Sequence, residues 1–116
     1  MRRRQEFELA VRQGKRASTR LLTVHLLAGD HETARAGDGA SPRIGFVVTR
    51  AVGGAVVRNR LRRRLREAAR MRTGLLPAGS LLVIRANPRA ADARQRDLAA
   101  ELDLVLGRLL RRQVRA

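Results

Sequence analysis

The sequence predicts an α+β fold, a two-layer α/β sandwich in which three helices pack on a small mixed sheet. Hydrophobic residues make up 44% of the 116 residues and aromatic residues only 2%. One modest core of Leu, Val, Ile and Ala is therefore expected. Helical and strand-like patterns follow one another in the order α, β, β, α, β, α, without internal repeats. We expect a single domain covering residues 1–116.

The first half of the chain has the pattern of one helix followed by two strands. Residues 4–12 carry apolar side chains at helical spacing, and Gly14 is suited to end this helix. Residues 21–27 and 43–49 are compact apolar runs with β-branched side chains, which is typical of strands. The intervening residues 28–42 contain three glycines, two aspartates and a proline. We expect a polar loop there, joining two antiparallel neighbours.

The second half has the pattern of helix, strand and helix. A helical pattern starts after residues 53–54 and should end near Gly74; its apolar side is formed by Val57, Leu61, Leu65 and Ala68. Residues 80–86 are a continuous apolar run, as in a buried strand that completes a βαβ unit. Asp92 and Gln95 have the spacing of a capping box. The third helix then presents a stripe of Leu98, Leu102, Val105 and Leu109.

Charge is the strongest indication of function. Lysine and arginine number 26 against 10 acidic residues, giving a formal net charge of +16, and Lys15 is the sole lysine. A compact chain of this charge repels itself unless a polyanion neutralises it. Guanidinium groups pair bidentately with phosphate, although arginine also accumulates in proteins from GC-rich genomes. The charge favours a nucleic-acid partner under either interpretation.

Several kinds of site are disfavoured. The sequence contains no cysteine, which excludes disulfides, cysteine-based zinc sites and cysteine nucleophiles. No segment approaches the ~18 apolar residues of a membrane span, and the basic start lacks the apolar run of a secretory signal. We therefore expect a soluble, cytoplasmic protein without a membrane partner. Asp30, His31 and Glu32 adjoin in the loop, but without further histidines no metal site is expected.

The second helix concentrates cations on one side. With Leu61 toward the core, the opposite side carries Asn59, Arg62, Arg63, Arg66 and Arg70, while Arg58, Arg60 and Arg64 flank the apolar stripe. Arginines spaced three and four apart repel one another, and Glu67 is the one acid among them. A merely solvated helix face usually mixes both signs of charge. This face therefore indicates nucleic-acid binding.

Residues 43–68 read R-I-G-F-V-V-T-R-A-V-G-G-A-V-V-R-N-R-L-R-R-R-L-R-E-A. This segment resembles the signature of the bacterial ribonuclease P protein, whose hallmark tripeptide matches Arg58-Asn59-Arg60. The tripeptide becomes specific here because a strand ending in Thr49-Arg50 and a glycine turn precede it, and an arginine-rich helix follows. The resemblance extends to Gln5-Glu6-Phe7 and to residues 20–27 and 83–88.

The resemblance implies a division of labour. A large RNA subunit performs the hydrolysis, the protein supports substrate binding, and the holoenzyme removes the 5′ leader of precursor tRNA. The chain would be an endoribonuclease subunit without catalytic residues, bound as a monomer in a 1:1 complex with ribonuclease P RNA. Mg²⁺ would be held mainly by RNA phosphates. The family also implies a left-handed crossover in the βαβ unit, where general chirality rules predict a right-handed one.

The family's binding residues can be carried onto this sequence. Contacts with the catalytic RNA would fall on Arg50, Arg58, Asn59, Arg60, Arg62, Arg63 and Arg66. A cleft between the first helix and the sheet, which would bind the single-stranded leader, would be lined by Phe7, Val11, Arg12 and His25. By position alone, His25 is more often structural and Phe7 a core residue.

Two departures from the family pattern affect the expected details. Gly54 stands where asparagine is usual, and Val11 where a second aromatic is usual. Because tyrosine and tryptophan are absent, base stacking should be poorer, and Arg12 or Arg16 could substitute. We therefore expect a weak preference for leader sequence.

Other functions remain open on sequence grounds. A structural RNA-binding protein of ribosomal type would share the charge, size and fold. A DNA-binding regulator is disfavoured because no helix-turn-helix spacing or dimerisation stripe is present. An autonomous nuclease is disfavoured because the acids are not grouped to hold metals.

Overall fold

The computed structural model describes residues 4–29 and 41–114, with the backbone alone for residues 112–114. The helices and strands are α1 (Arg4–Gln13), β1 (Lys15–Ser18), β2 (Leu22–Leu27), β3 (Arg43–Val47), α2 (Ala55–Arg70), β4 (Leu81–Ala86) and α3 (Gln95–Val114). Two short 3-10 helices lie at Thr73–Leu75 and Pro88–Asp92. None of the helices in these two described ranges is long and apolar enough to cross a membrane.

The four strands form one mixed sheet in the order β1-β2-β4-β3. β2 is antiparallel to β1 and β4, whereas β3 and β4 are parallel and are joined through α2. The α+β class, the mixed sheet and the βαβ unit are therefore confirmed. The prediction that the strands on either side of the 28–42 loop are neighbours was wrong, because β4 lies between β2 and β3. The continuous apolar run of β4 suits this central place, which is covered on both faces.

The strand β1 was missed by the sequence prediction. It forms an edge of the sheet, and Ala17 is its one buried residue, so it carries no apolar run that could reveal it. Gly14 makes the close turn from α1 into β1 and donates its N–H to the Ala10 carbonyl at 2.9 Å. A Cβ at this position would clash with the Ala10 carbonyl and would lie 2.9 Å from the carbonyl oxygen of Leu26. Glycine is therefore required by space at this turn.

The main core lies between the sheet and the pair α2 and α3. The stripe Leu98, Leu102, Val105 and Leu109 is fully buried there, with 0% exposure at each residue, which confirms the predicted face of the third helix. The guanidinium group of Arg72 donates two hydrogen bonds to the carboxyl group of Asp103 on α3. One comes from Nε, and the other comes from Nη2 at 3.0 Å. These hydrogen bonds lower the pKa of the Asp103 carboxyl below its ordinary value. The turn that follows α2 is thus held against α3.

The helix α1 lies on the opposite face of the sheet and adds a partial third layer to the predicted two. Leu9 and Ala10 pack there against Leu81 and Val83 of β4. Glu6, only 4% exposed, accepts a 2.8 Å hydrogen bond from Arg43 of β3. The ion pair and the apolar contacts together fix α1 over the central strands.

The crossover from β3 through α2 to β4 is left-handed. The backbone N–H of Arg43 donates to the Ser80 carbonyl at 2.9 Å, so Ile44 and Phe46 direct their own peptide groups away from β4. The side chains of Ile44 and Phe46 pack toward α2. Consider a strand of L-residues viewed with its N-to-C direction pointing upward. A residue whose side chain points at the viewer has its backbone N–H and C=O groups on the right. Seen from α2, β4 therefore lies to the left of β3, as the family resemblance implied.

Two predicted element ends need correction. The helix α2 ends at Arg70 rather than near Gly74, and a 3-10 turn follows. Asp92 and Gln95 do not form a capping box, because Asp92 closes the 3-10 helix and Gln95 is the first residue of α3. The Gln95 amide instead donates to the Arg64 carbonyl at 2.9 Å. Asp30, His31 and Glu32, with most of the predicted loop, lie outside the described residues.

Candidate nucleic-acid interface

The outer side of α2 is an exposed cationic surface. Asn59, Arg63, Arg66 and Arg70 are exposed, and among residues 4–29 and 41–114 none of these three arginines pairs with an acid. The apolar residues Leu61, Leu65 and Ala68 turn inward and are almost fully buried. The amphipathic pattern of the sequence therefore leaves these guanidinium groups available to an external anion.

Arg62 has a bracing role within the same surface. It is half-buried and donates to the Asn59 side-chain oxygen at 3.1 Å and to the Val48 carbonyl at 3.3 Å. These bonds brace the second turn of α2 and link it to the residue that follows β3. Part of the Arg62 donor capacity is therefore used inside the protein.

The arginines that flank the apolar stripe are half-buried. Arg64 donates to the Ala93 carbonyl at 2.8 Å, and Arg60 lies 3.5 Å from the Ala91 carbonyl. The Nε atoms of Arg58 and Arg60 are buried without a hydrogen-bond partner in the described part of the chain. Arg58 and Arg60 therefore each keep one buried N–H donor that no described residue satisfies.

A tight turn places Arg50 beside the start of α2. The turn is closed by bonds of 3.1 Å from the Val52 N–H to the Thr49 carbonyl and from the Gly53 N–H to the Arg50 carbonyl. Gly53 has a φ of 156°, and an added Cβ would lie 3.1 Å from the Val57 side chain. Arg50 itself is exposed. The turn therefore brings one more cation to the α2 surface.

A hollow of about 450 Å³ lies on the face of the sheet that carries α1. It is lined by Arg16, Thr23, His25, Thr49, Ala51, Arg85, Ala86, Asn87 and Pro88. The strand register pairs Arg16 with His25 and Thr23 with Arg85. Thr23 donates to the Asn87 side-chain oxygen at 3.2 Å and lies 2.9 Å from the Ser18 hydroxyl. The hollow therefore combines two cations with several hydrogen-bonding groups.

His25 is a neutral group within this cationic hollow. Its burial, and next the positive charges of Arg16 and Arg85, lower the pKa of the imidazole below its ordinary value of 6.5. Its Nδ1 atom is buried and has no hydrogen-bond partner among the described residues. Near pH 7 the ring is therefore uncharged.

The structure brings together part of the predicted leader cleft. Arg16 and His25 line the hollow. Phe7 is half-buried against the apolar contact between α1 and β4, Val11 is 41% exposed, and Arg12 is exposed. These three residues lie on α1 and do not line the hollow itself. The prediction missed Arg85, Thr23 and Asn87. Arg85 had one usable signal, since it is the single charge in the apolar run of β4.

The sequence prediction about metal sites concerned ions held by protein side chains, not Mg²⁺ held by RNA phosphates. Within the described ranges, no three His, Cys, Asp or Glu side chains group closely enough to hold a metal ion.

Comparison with known proteins identifies the family. A model of the family described as ribonuclease P matches residues 1–110. The chain is 54% identical over 111 residues to the ribonuclease P protein component of Streptomyces avermitilis, covering 95% of this chain and 90% of the relative. The chain belongs to the ribonuclease P protein family. The protein component of Thermobifida fusca is 51% identical over 106 residues, covering 91% of this chain and 72% of the relative.

Solved structures of ribonuclease P proteins share the fold. The protein from Staphylococcus aureus matches with a TM-score of 0.77 at 20% identity, covering 92% of this chain and 91% of that one. The protein from Thermotoga maritima matches with a TM-score of 0.72 at 24% identity, covering 91% and 94%. At these identities the likeness establishes the α+β fold alone.

Family membership narrows the functions left open by the sequence. As a component of ribonuclease P, the chain is a subunit of an endoribonuclease that processes tRNA, and it associates with ribonuclease P RNA. The ribosomal-type binder, the DNA regulator and the autonomous nuclease are therefore set aside. The Arg58-Asn59-Arg60 signature of this ribonuclease P protein lies in the first two turns of α2.

Proposed function

We propose that this ribonuclease P protein is a single RNA-binding domain with two RNA surfaces. The first surface binds the catalytic RNA through Arg50, Arg58, Asn59, Arg60, Arg62, Arg63 and Arg66. The second surface binds the 5′ leader of precursor tRNA through the hollow and the adjoining side of α1, with Phe7, Val11, Arg12, Arg16 and His25. By holding both RNAs in one complex, the protein supports endonucleolytic removal of the leader.

One observation carries this proposal. The turn that starts α2 borders both surfaces, because Thr49 and Ala51 line the hollow while the intervening Arg50 is exposed. A catalytic RNA bound along α2 would therefore lie next to a leader bound in the hollow. This proximity is what a subunit needs in order to position the substrate beside the catalytic RNA.

The chemistry of the hollow suits a single strand with little sequence selection. Arg16 and Arg85 can pair with leader phosphates, and their guanidinium planes can stack on bases. The His25 ring is neutral, so it offers a flat surface for stacking on a base and does not attract phosphate. Contacts of this kind depend on the backbone and on the faces of the bases, so leader preference is weak.

The chemical step belongs to the RNA in this proposal. The protein neutralises phosphates and positions the substrate, and Mg²⁺ needed by the holoenzyme is held mainly by RNA phosphates. We propose a monomer in a 1:1 complex with ribonuclease P RNA, acting on precursor tRNA in the cytoplasm.

The direct test is cleavage of a precursor tRNA with a 5′ leader by the cognate ribonuclease P RNA at near-physiological magnesium. The reaction is run with and without this protein, and the protein alone is the control. Efficient cleavage at the mature 5′ end should require both components. If the protein binds the RNA but never stimulates cleavage, its role is structural and the proposal fails.

A further inference from the structure

The segment between β4 and α3 touches both proposed RNA surfaces. Residues 87–93, here called the bridging segment, contain the 3-10 helix Pro88–Asp92. Asn87 and Pro88 at its start line the hollow. Ala91 and Ala93 at its end face the flank of α2, where Arg60 and Arg64 reach their carbonyls. The bridging segment therefore connects the flank of α2 to the wall of the hollow.

The hollow end of the bridging segment is fixed by Asn87. Its backbone N–H donates to the Leu21 carbonyl at 2.9 Å, and its side-chain amide donates to the Thr19 carbonyl at 3.0 Å. Its side-chain oxygen accepts from the Thr23 hydroxyl at 3.2 Å. These three bonds attach the start of the segment to the β1–β2 side of the sheet.

The other end is fixed chiefly by Arg64. Its Nη1 donates to the Ala93 carbonyl at 2.8 Å. The last carbonyls of a helical turn lack partners within that turn, and a guanidinium group satisfies them well. In return, the Gln95 amide donates to the Arg64 carbonyl at 2.9 Å. Arg64 therefore joins α2 to the segment and to the start of α3 through both its side chain and its backbone.

The neighbouring Arg63 provides a contrast. It carries the same charge on the same helix, but it is exposed, and no hydrogen bond or ion pair within residues 4–29 and 41–114 uses its guanidinium group. Arg64 is half-buried, and its guanidinium group is occupied inside the protein. Two adjacent arginines thus have different surroundings, although the sequence presents them as one cationic run.

We propose that Arg64 is a positioning residue for the leader site and does not serve as a phosphate ligand of the catalytic RNA. It holds the far end of the bridging segment against α2 and thereby supports Pro88 at the wall of the hollow, next to Asn87, which its own hydrogen bonds anchor. This inference rests on the proposed leader function of the hollow. In this proposal α2 serves both surfaces: its exposed arginines contact the catalytic RNA, and Arg64 supports the wall of the hollow through the bridging segment.

The test uses the reconstituted holoenzyme with four variants of the protein. Arg64→Gln removes the charge-assisted bond, and Arg64→Lys retains the positive charge and an N–H donor. Gln95→Ala weakens the same junction without changing the charge. Arg63→Gln removes one charge from the exposed side and is the matched control. Each is measured for KM and kcat on precursor tRNAs with a long leader and with a one-nucleotide leader, and for the salt dependence of binding to the catalytic RNA.

We expect Arg64→Gln to raise KM for the long-leader substrate about tenfold, with little change for the one-nucleotide leader or in kcat. The salt slope should remain that of the unmodified protein. Arg64→Lys should recover most of the loss, and Gln95→Ala should show a smaller loss of the same kind. Arg63→Gln should instead reduce the salt slope by about 1.

Other outcomes distinguish the two claims. If Arg64→Gln reduces the salt slope as Arg63→Gln does, Arg64 contacts the catalytic RNA and the inference is wrong. The same conclusion follows if Gln95→Ala and Arg64→Gln both leave the long-leader KM unchanged. Should Arg64→Gln fail to fold, Gln95→Ala alone decides the question. If the unmodified protein makes no distinction between leader lengths, the proposed leader function fails, and the inference fails with it.

Discussion

At the scale of single residues, His25 links folding stability to pH. Burial and the charges of Arg16 and Arg85 lower its pKa in the folded state, whereas the unfolded chain keeps the ordinary value of 6.5. As the pH falls below 6.5, the unfolded state takes up a proton before the folded state does. The contribution of His25 to the free energy of unfolding should therefore be fully present above pH 6.5 and be lost as the pH falls below that value.

The measurement is urea unfolding of the protein and of His25→Gln at several pH values between about 7.5 and 5. The difference between the two proteins isolates the contribution of His25 from those of the other titratable groups, which both proteins share. The unmodified protein should lose stability relative to His25→Gln as the medium is acidified. A constant difference, or one of opposite sign, would show that His25 is not held neutral between the two arginines.

The sequence predicted two of the residues that line the hollow but not their surroundings. Arg16 and His25 were expected near the leader, and both line the hollow. Arg85 and Asn87 were missed because they reach the hollow through pairing of β2 with β4, two strands that are distant in the chain. Likewise, nothing local distinguishes Arg63 from Arg64, since the carbonyl that Arg64 contacts belongs to a separate segment.

At the scale of elements, α2 should dominate the electrostatic part of RNA binding. If it neutralises ~6 phosphates, log affinity should fall with log salt with a slope of about −4 to −5. Replacing Arg63 and Arg66 together with alanine should flatten the slope by about 2 while the protein stays folded, because both side chains are exposed. Arg62 is left intact because it braces Asn59 and Val48.

A matched control for this variant replaces Arg96 and Arg108 with alanine. Both are exposed on α3, outside the proposed interface, and the total charge changes by the same amount. Titration of fluorescently labelled ribonuclease P RNA over a range of salt concentrations gives both slopes. Equal flattening by the two variants would mean that net charge alone, rather than the α2 surface, determines the affinity.

The elements were predictable where their sequence pattern is strong. The stripes of α2 and α3 have helical spacing, and the core confirms them. β1 could not be found, because an edge strand with one buried residue has no alternating pattern. The order of the strands could not be predicted either, because β4 follows α2 in the chain but lies between β2 and β3 in the sheet.

At the scale of the whole molecule, the sheet separates the two proposed RNA surfaces. α2 and α3 cover one face and present the exposed arginines, while α1 covers part of the other face and leaves the hollow open beside it. The family could be predicted from the sequence because its signature is contiguous between residues 43 and 68. The hollow could not, because its lining residues come from three strands and two connecting segments.

The central claim is that one surface contacts the catalytic RNA and the other contacts the leader. Since the chain has no cysteine, a photo-crosslinker can be attached to a single introduced one. One variant is Ser18→Cys, because Ser18 is exposed and contacts Thr23 of the hollow. The other is Val56→Cys, because Val56 is 78% exposed in the first turn of α2. Neither residue belongs to the proposed binding sets.

The most direct measurement maps the crosslinks of each variant in the complex of protein, ribonuclease P RNA and leader-bearing precursor tRNA. We expect the probe at position 18 to label leader nucleotides and the probe at position 56 to label the catalytic RNA. If both probes label the same RNA, or if the two targets are exchanged, the assignment of the two surfaces is contradicted.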